Sequence, residues 1–238
     1  FASGPLMKAA ARKGIPVVIQ EQNAFPGVTN RLMAGKAKKI CVAHEGLEKW
    51  FPSEKIRFTG NPVRKDLSDV GGKKKEACQL FGLDSEVPVV LIFGGSLGAL
   101  AINEAVNTRI EDLKNLGIQL IWQTGPSYLK IAKERIREVG ANRIQAHAFL
   151  EKMDLAYAAS DIVICRAGAI TLSELAIAAK PCVLIPYPAA AGNHQMKNAL
   201  AYQEKGAGKI IENQNASNEL VDMLELLLAD EKLRLQIS

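Results

Sequence analysis

Two stretches of this chain place small residues, hydroxyls and a single acid where a strand hands over to a helix. The first is Ile162-Val163-Ile164-Cys165-Arg166-Ala167-Gly168-Ala169-Ile170-Thr171-Leu172-Ser173-Glu174. It reads as a buried strand, a small-residue loop, and a helix opening on hydroxyls and a glutamate. Such a helix start aims backbone N–H groups and the positive end of the helix dipole into the loop, which suits a phosphate. Glu174 needs a different task, because a carboxylate beside a diphosphate is repelled by it. Accepting two hydrogen bonds from a ribose diol is such a task. The same residues also fit a Thr-x-x-Glu capping box, in which Glu174 would only close the helix start. Ligand and cap both remain open at this level.

The second stretch is Val89-Val90-Leu91-Ile92-Phe93 followed by Gly94-Gly95-Ser96-Leu97-Gly98-Ala99. An uninterrupted apolar run is what a central parallel strand needs when both its faces are covered. The glycines permit positive φ and a close approach of ligand to backbone. This is not a full Gly-x-Gly-x-x-Gly fingerprint, and no acid follows about 20 positions on, so a dinucleotide site is not supported. A phosphate or sugar site at the carboxyl edge of a sheet fits better. The ligand-free alternative is a tight strand-to-helix turn.

Elements that would position these loops alternate along the whole chain. Strands are expected at 15–19, 39–43, 56–59, 88–93, 118–123, 143–147, 161–165, 181–185 and 207–211, and helices at 5–13, 27–34, 99–115, 127–139, 152–159, 171–179 and 194–204. A last helix follows Ser217, a candidate cap, and Ser3 is a candidate cap for the first. Alternation of this kind gives βαβ units with right-handed crossovers and parallel sheets, an α/β fold. A loosely patterned polar stretch at 61–72 follows Gly60-Asn61-Pro62, where Pro62 disfavours helix at Asn61. The expected division is a first, incomplete domain at 1–66 and a complete α/β domain at 67–238, whose sheet should have six parallel strands.

Composition excludes several classes. Of 238 residues, 48% are hydrophobic and 23% charged, which is ordinary for a folded globular chain. No apolar run approaches the roughly 20 residues of a membrane span. The cysteines Cys41, Cys78, Cys165 and Cys182 form no Cys-x-x-Cys pair and read as small buried hydrophobes. His44, His147 and His194 have no metal-ligand spacing, so neither a metal nor any other cofactor is expected. The net charge of +5 is unevenly spread. Residues 1–75 hold 15 Lys or Arg against 6 Asp or Glu, and the rest of the chain is net −4. A basic first part favours an anionic membrane surface. No aromatic interleaving or nucleic-acid motif accompanies the charge, so nucleic acid is not expected as a partner. Lys73-Lys74-Lys75 reads as a solvated linker or a helix start.

Two further polar segments, Glu21-Gln22-Asn23 and Gly60-Asn61-Pro62-Val63-Arg64, sit at expected strand ends, where open α/β sheets bind ligands. Together with the glycine loop, the Arg166–Glu174 segment, and His194-Gln195 ahead of Asn198-Ala199-Leu200, they come in the order of one family. The chain resembles the MurG family of bacterial cell-wall glycosyltransferases over nearly its whole length. The motifs are individually weak and specific as a set.

The resemblance implies a GT-B fold, two Rossmann-like domains with the donor in the cleft between them. It implies transfer of N-acetylglucosamine from UDP-GlcNAc to lipid I, with inversion, on the cytoplasmic face of the bacterial inner membrane. By resemblance Glu174 binds the ribose hydroxyls, and Ala169, Ile170, Thr171, Leu172 and Ser173 supply the helix start near the diphosphate. Ser96 and Arg64 reach the donor's phosphates or sugar, Gln195 holds hydroxyls of the GlcNAc ring, and Asn23 contacts the donor from the first domain. Leu150 sits where the family offers main-chain contacts to uracil. His194 replaces a residue that is often glutamine and receives no role.

The family's glycine-rich loop and histidine near the amino terminus, its usual acid–base region, have no counterpart here. The expectation is therefore a truncated first domain, with no catalytic base identifiable among these residues and no transfer by this chain alone. The rival readings are another GT-B enzyme, such as a UDP-GlcNAc 2-epimerase, and a module that holds UDP-sugar without turnover. The epimerase would need additional acidic and histidine residues in the cleft.

Overall fold

The computed structural model describes residues 3–238. Helix α1 (Ser3–Arg12) leads into strand β1 (Val18–Glu21), helix α2 (Val28–Met33), and strands β2 (Lys39–Val42) and β3 (Ile56–Phe58). The strands pair in parallel in the order β1-β2-β3. Val17, Ile19, Met33, Ile40, Val42, Leu47 and Phe51 form their core. The first strand lies further along than the expected 15–19. Pro16 has no N–H to give to a ladder, and the Ile15 N–H turns back to the Ala10 carbonyl to close the helix end.

The second sheet is built from α3 (Lys74–Phe81), β4 (Val89–Phe93), α4 (Leu100–Thr108), α5 (Ile110–Asn115), β5 (Gln119–Gln123), α6 (Leu129–Glu138), β6 (Ile144–His147), α7 (Met153–Ala159), β7 (Ile162–Cys165), α8 (Ala169–Ala178), β8 (Cys182–Leu184), α9 (His194–Gln203), β9 (Lys209–Ile210), α10 (Ala216–Ala229) and α11 (Glu231–Gln236). Its six strands are all parallel, in the order β6-β5-β4-β7-β8-β9. Every residue of β4 is buried, as its unbroken apolar run requires. Helices cover both faces. Ile102, Val106, Leu220 and Leu224 pack on one side, and Ala77, Cys78, Tyr157, Leu172 and Leu175 on the other. The parallel α/β architecture and the six-stranded sheet are therefore as expected.

Three local expectations are corrected, and of the two readings of the lysine run the helix start is the one observed. The single helix at 99–115 is two, broken at Arg109, whose side chain pairs with Asp112 and donates to the Ser217 carbonyl; Ile110 and Leu113 beyond the break are fully buried. The last long helix starts at Ala216, so Ser217 lies inside it and Asn215 precedes it. The lysine run opens a real helix, α3. Lys74 Nζ lies 2.6 Å from Asp161 Oδ1, while Asp161 Oδ2 accepts from the Val89 N–H. This carboxylate ties the entry of β7 to the entry of β4. Finally, α8 begins at Ala169, two residues before the expected start.

The two sheets meet through neutral amides. Asn61 Nδ2 donates to the Gln22 carbonyl at 3.1 Å and to Ser173 Oγ at 3.0 Å. Asn198 Oδ1 accepts from the Ala24 N–H at 3.0 Å, and its Nδ2 donates to Asn23 Oδ1 at 3.1 Å. Lys197 Nζ sits 3.5 Å from the ring centre of Phe25.

The glycine loop after β4 lies directly on the turn after β5. Gly98 has φ +79°, and a Cβ there would run into the Thr124 carbonyl; a Cβ on Gly125 would run into the carbonyl of Leu97. Gly95 also has positive φ, +96°, but open space around it. Gly98→Ala is therefore expected to lose roughly 2–4 kcal/mol in denaturant melts, from strain plus overpacking. Gly95→Ala should lose about 1 kcal/mol from backbone strain alone. Equal losses at both positions would mean that the backbone contact contributes nothing.

Candidate functional site

β4 and β7 are neighbours in the sheet, and the helices that follow them cover opposite faces. Their loops therefore part at the carboxyl edge, and the crevice between them is where open α/β sheets bind ligands. Glycine loop 94–99 forms one lip and Arg166–Gly168 the other.

Helix α8 begins after Gly168, whose backbone is extended at φ −69° and ψ 143°, and no side chain caps it. Its first-turn N–H groups, at Ala169, Ile170 and Thr171, receive no side-chain cap. This start disposes of the capping box. Thr171 is the third helical residue and Glu174 the sixth, a full turn beyond any cap position. The Glu174 carboxylate instead accepts a hydrogen bond from the Tyr157 hydroxyl, 3.2 Å from Oε2. Burial pushes the Glu174 pKa up; the Tyr157 bond and the positive charge of Arg64 oppose this, and Asp66 adds to it. Arg64 thus lies within electrostatic reach of Glu174 while remaining exposed itself.

The other expected residues divide. Ser96 stands exposed in its glycine loop. Gln195 faces the crevice with its carbonyl oxygen already engaged, accepting from the Tyr187 N–H at 2.9 Å, so the amide presents N–H donors. Leu172 is buried in the core, and Ser173 Oγ donates to the Ala169 carbonyl while accepting from Asn61, so both serve packing and the joint between the sheets. Asn23 is likewise committed. Its Oδ1 accepts from Asn198 and its Nδ2 donates to Glu21 Oε1 at 3.2 Å. The Leu150 N–H is taken by Gln123 Oε1 at 2.8 Å.

Several residues at the site escaped sequence reasoning. Arg166 donates to the Ile185 carbonyl at 2.9 Å and to Asn213 Oδ1 at 2.7 Å, and lies 5.5 Å from the ring centre of Tyr187. It walls a cleft of about 630 Å³ together with Gly98, Glu104, Tyr187, Gln195 and Asn213. A lone arginine ending an apolar strand was the available signal. Tyr157 and Gln123 gave none, since their roles depend on partners distant in sequence. A second cleft of about 430 Å³ lies between the 20–31 loop and the 191–194 turn. A third concavity, at the opposite edge of the second sheet around Lys74, Asp161 and Lys180, is far from all these groups.

The arrangement can hold an anion on uncapped N–H groups, a diol on a carboxylate, and a polar ring against Arg166 and Gln195. Residues 89–236 match the glycosyltransferase family 28 C-terminal domain, more than half of the chain, and residues 1–42 match the family's N-terminal domain. The chain belongs to glycosyltransferase family 28. A curated relative of this family 28 chain, from Parabacteroides distasonis, is a UDP-N-acetylglucosamine–N-acetylmuramyl-(pentapeptide) pyrophosphoryl-undecaprenol N-acetylglucosamine transferase. The two are 46% identical over 98% of this chain and 64% of the relative. The crystal structure of Acinetobacter baumannii MurG superposes with a TM-score of 0.75 at 31% identity, covering all of this chain and 65% of that one. A UDP-GlcNAc 2-epimerase from Neisseria meningitidis, solved with UDP-GlcNAc bound, has a TM-score of 0.62 at 18% identity over 98% of this chain and 67% of that one, a likeness of fold alone. The family 28 chain thus has the GT-B arrangement of parallel sheets flanked by helices, and spans a little under two thirds of the curated relative.

The raised pKa of Glu174 makes a testable statement about stability. A carboxylate whose pKa is higher in the fold binds more protons folded than unfolded between the two values, so its ionisation costs stability above the folded pKa. Glu174→Gln should therefore melt higher than the parent at pH 7, and the gap should close as pH falls through the raised pKa. A lower melting temperature at pH 7 would show that the charge serves the fold.

Proposed function

We propose that this chain carries the donor site of an inverting glycosyltransferase that moves N-acetylglucosamine from UDP-GlcNAc to the muramyl sugar of lipid I, giving lipid II. The observation that carries it is Glu174, half-buried against Tyr157 beside an uncapped helix start at the fork of a parallel sheet. A carboxylate there costs stability, and a ribose diol gives it a use. The names borne by relatives at 46% and 31% identity support the transferase reading, whereas the epimerase likeness rests on fold at 18%.

In this reading the second sheet, within 67–238, binds the donor, and residues 1–66 belong to the acceptor side. The uracil lies along the 149–150 loop, the ribose on Glu174, the diphosphate between Ser96 and the start of α8, and the sugar against Arg166 and Gln195. Arg64 stands near the ribose end. As the acceptor's C4 hydroxyl attacks the anomeric carbon, negative charge builds on the departing UDP. Preorganised N–H groups and a helix dipole stabilise that charge more in the transition state than before it.

Peripheral attachment to an anionic membrane on the cytoplasmic side completes the proposal. The net charge of +9 over residues 1–75 supports it, as do Leu6, Val28 and Leu32, exposed on α1 and α2. Among the described residues no helix is long and apolar enough to cross a membrane.

Calorimetric titration with UDP, UDP-GlcNAc and ADP tests the donor half. The chain should bind both uridine nucleotides and prefer UDP to ADP. Glu174→Ala should weaken UDP about ten- to a hundredfold, the value of hydrogen bonds to a charged group. Equal binding of ADP and UDP, or none of either, would sink the reading. Transfer is tested by grafting the matching segment of this chain into the Parabacteroides distasonis relative and following lipid-I-dependent release of UDP. In that chimera Gln195→Ala should erode the preference for GlcNAc over its C4 epimer, because the amide presents donors to a specific hydroxyl. An equal loss for both donors would mark Gln195 as a packing residue.

A further inference from the structure

We infer that Gln123 is a positioning residue for nucleotide binding: its side-chain amide sets the spacing and orientation of the loop facing the diphosphate and the loop facing the base. The inference rests on the donor reading above and adds a residue to it. Gln123 ends β5 and is 4% exposed. Its Nε2 donates to the Gly95 carbonyl at 2.9 Å, and its Oε1 accepts from the Leu150 N–H at 2.8 Å. One amide thus joins the loops after β4 and β6, which flank β5 in the sheet. Two strand spacings, about 9.6 Å, separate those strands. The buried amide of the strand between them spans the gap.

The bond also fixes direction. Among the described residues no peptide is cis, and in a trans peptide the C=O and N–H point opposite ways. Holding the Gly95 carbonyl inward on Gln123 turns the N–H of exposed Ser96 outward. The carbonyl also closes its own turn, accepting from the Gly98 N–H at 3.0 Å. Holding the Leu150 N–H inward turns the Phe149 carbonyl away from Gln123 in the same manner. The loop tip at Gly95 has open space around its Cα, so besides the Gln123 amide the peptide is held by the Gly98 N–H within its own turn. Its glycine could adopt other orientations at small cost. Gln123 does not face the ligand; it acts through the two loops it joins.

A purely structural glutamine and a positioning one differ in which ligands feel the loss. Of the two loops that Gln123 joins, UDP contacts both, uridine only the base loop, and inorganic pyrophosphate only the glycine loop. Gln123→Met keeps the side chain's length and removes both hydrogen bonds, while Gln123→Glu keeps the acceptor for Leu150 and loses the donor to Gly95. Binding of all three ligands to the 238-residue chain is measured by calorimetry or by NMR shifts, beside a thermal melt. In the Met variant UDP affinity should fall at least about tenfold, as expected when a preorganised site is loosened. Uridine and pyrophosphate should each change less than twofold. If Met does not fold, Glu should show the same loss for UDP with uridine binding unchanged. Unchanged UDP affinity in a folded variant would overturn the inference. So would equal losses for all three ligands, or failure of both variants to fold, which would make the amide structural. Absence of UDP binding by the parent chain would overturn the donor reading itself, and the inference with it.

Discussion

Strands β4 and β7 share a hydrogen-bonded ladder from Val90↔Ile162 to Phe93↔Cys165, yet the helices that follow them leave to opposite faces of the sheet. Everything at the site depends on that fork. A strand end whose neighbour turns the same way is covered by the neighbour's loop; here the two loops separate and the crevice stays open. The continuous apolar runs of β4 and β7 are what allow it, because a strand bearing helices on both faces has no polar side to spare. The glycines then let one lip sit close against the next turn. Gly98 and Gly125 bring backbone onto backbone, so the loop after β4 is held by contact at its far end and by the Gln123 amide near its tip.

The site is organised at a cost to the fold. Glu174 lies half-buried with its pKa driven up by desolvation, and a single phenol, Tyr157, donates to it. Tyr157 is itself buried, and its own pKa is pushed well above the ordinary value, first by burial and then by the nearby thiols and Glu174. The phenol therefore remains a donor, and the carboxylate keeps lone pairs that Tyr157 does not occupy. Helix α8 shows the same economy. A serine or aspartate at position 168 would have supplied a capping side chain, worth about a few tenths of a kcal/mol over glycine. Gly168 in an extended conformation adds none and leaves the first-turn N–H groups without a side-chain cap.

How much of this could be read from sequence followed the range of the interactions. The central strands β4, β7 and β8 were legible because burial on both faces demands unbroken apolar runs, and those are local. The glycine loop was legible for the same reason. The helix starts were less so. Thr171-x-x-Glu174 satisfies a capping pattern, but the pattern carries no information about where φ and ψ become helical, and the helix begins at Ala169. The break at Arg109 was hidden because the apolar period continues through it to the buried Ile110 and Leu113. Least legible were residues whose work is done across the fold. Tyr157 meets Glu174 across two helices, and Gln123 meets Gly95 and Leu150, both 27 or more residues away. Asn23 likewise meets Asn198, 175 residues on. No local pattern distinguishes a glutamine that bridges two loops from one that faces water.

The joint between the sheets follows a different rule from their interiors. Each sheet is held by an apolar core, whereas the side-chain hydrogen bonds that cross between them come from Asn61 and Asn198, with Lys197 against Phe25 beside them. Among the described residues no ion pair makes that crossing. A neutral hydrogen bond contributes about 1 kcal/mol net, so a few of them add little beside either core. Their value is directional. Asn61 reaches Ser173 on α8, the helix whose start faces the crevice, and Asn198 reaches the loop that follows buried Glu21. Glu21 in turn accepts from Asn23, Gly27 and Asn30, so that loop arrives at the joint already shaped. The first sheet is thereby registered against the very elements that form the site, by bonds that specify orientation more than they add stability.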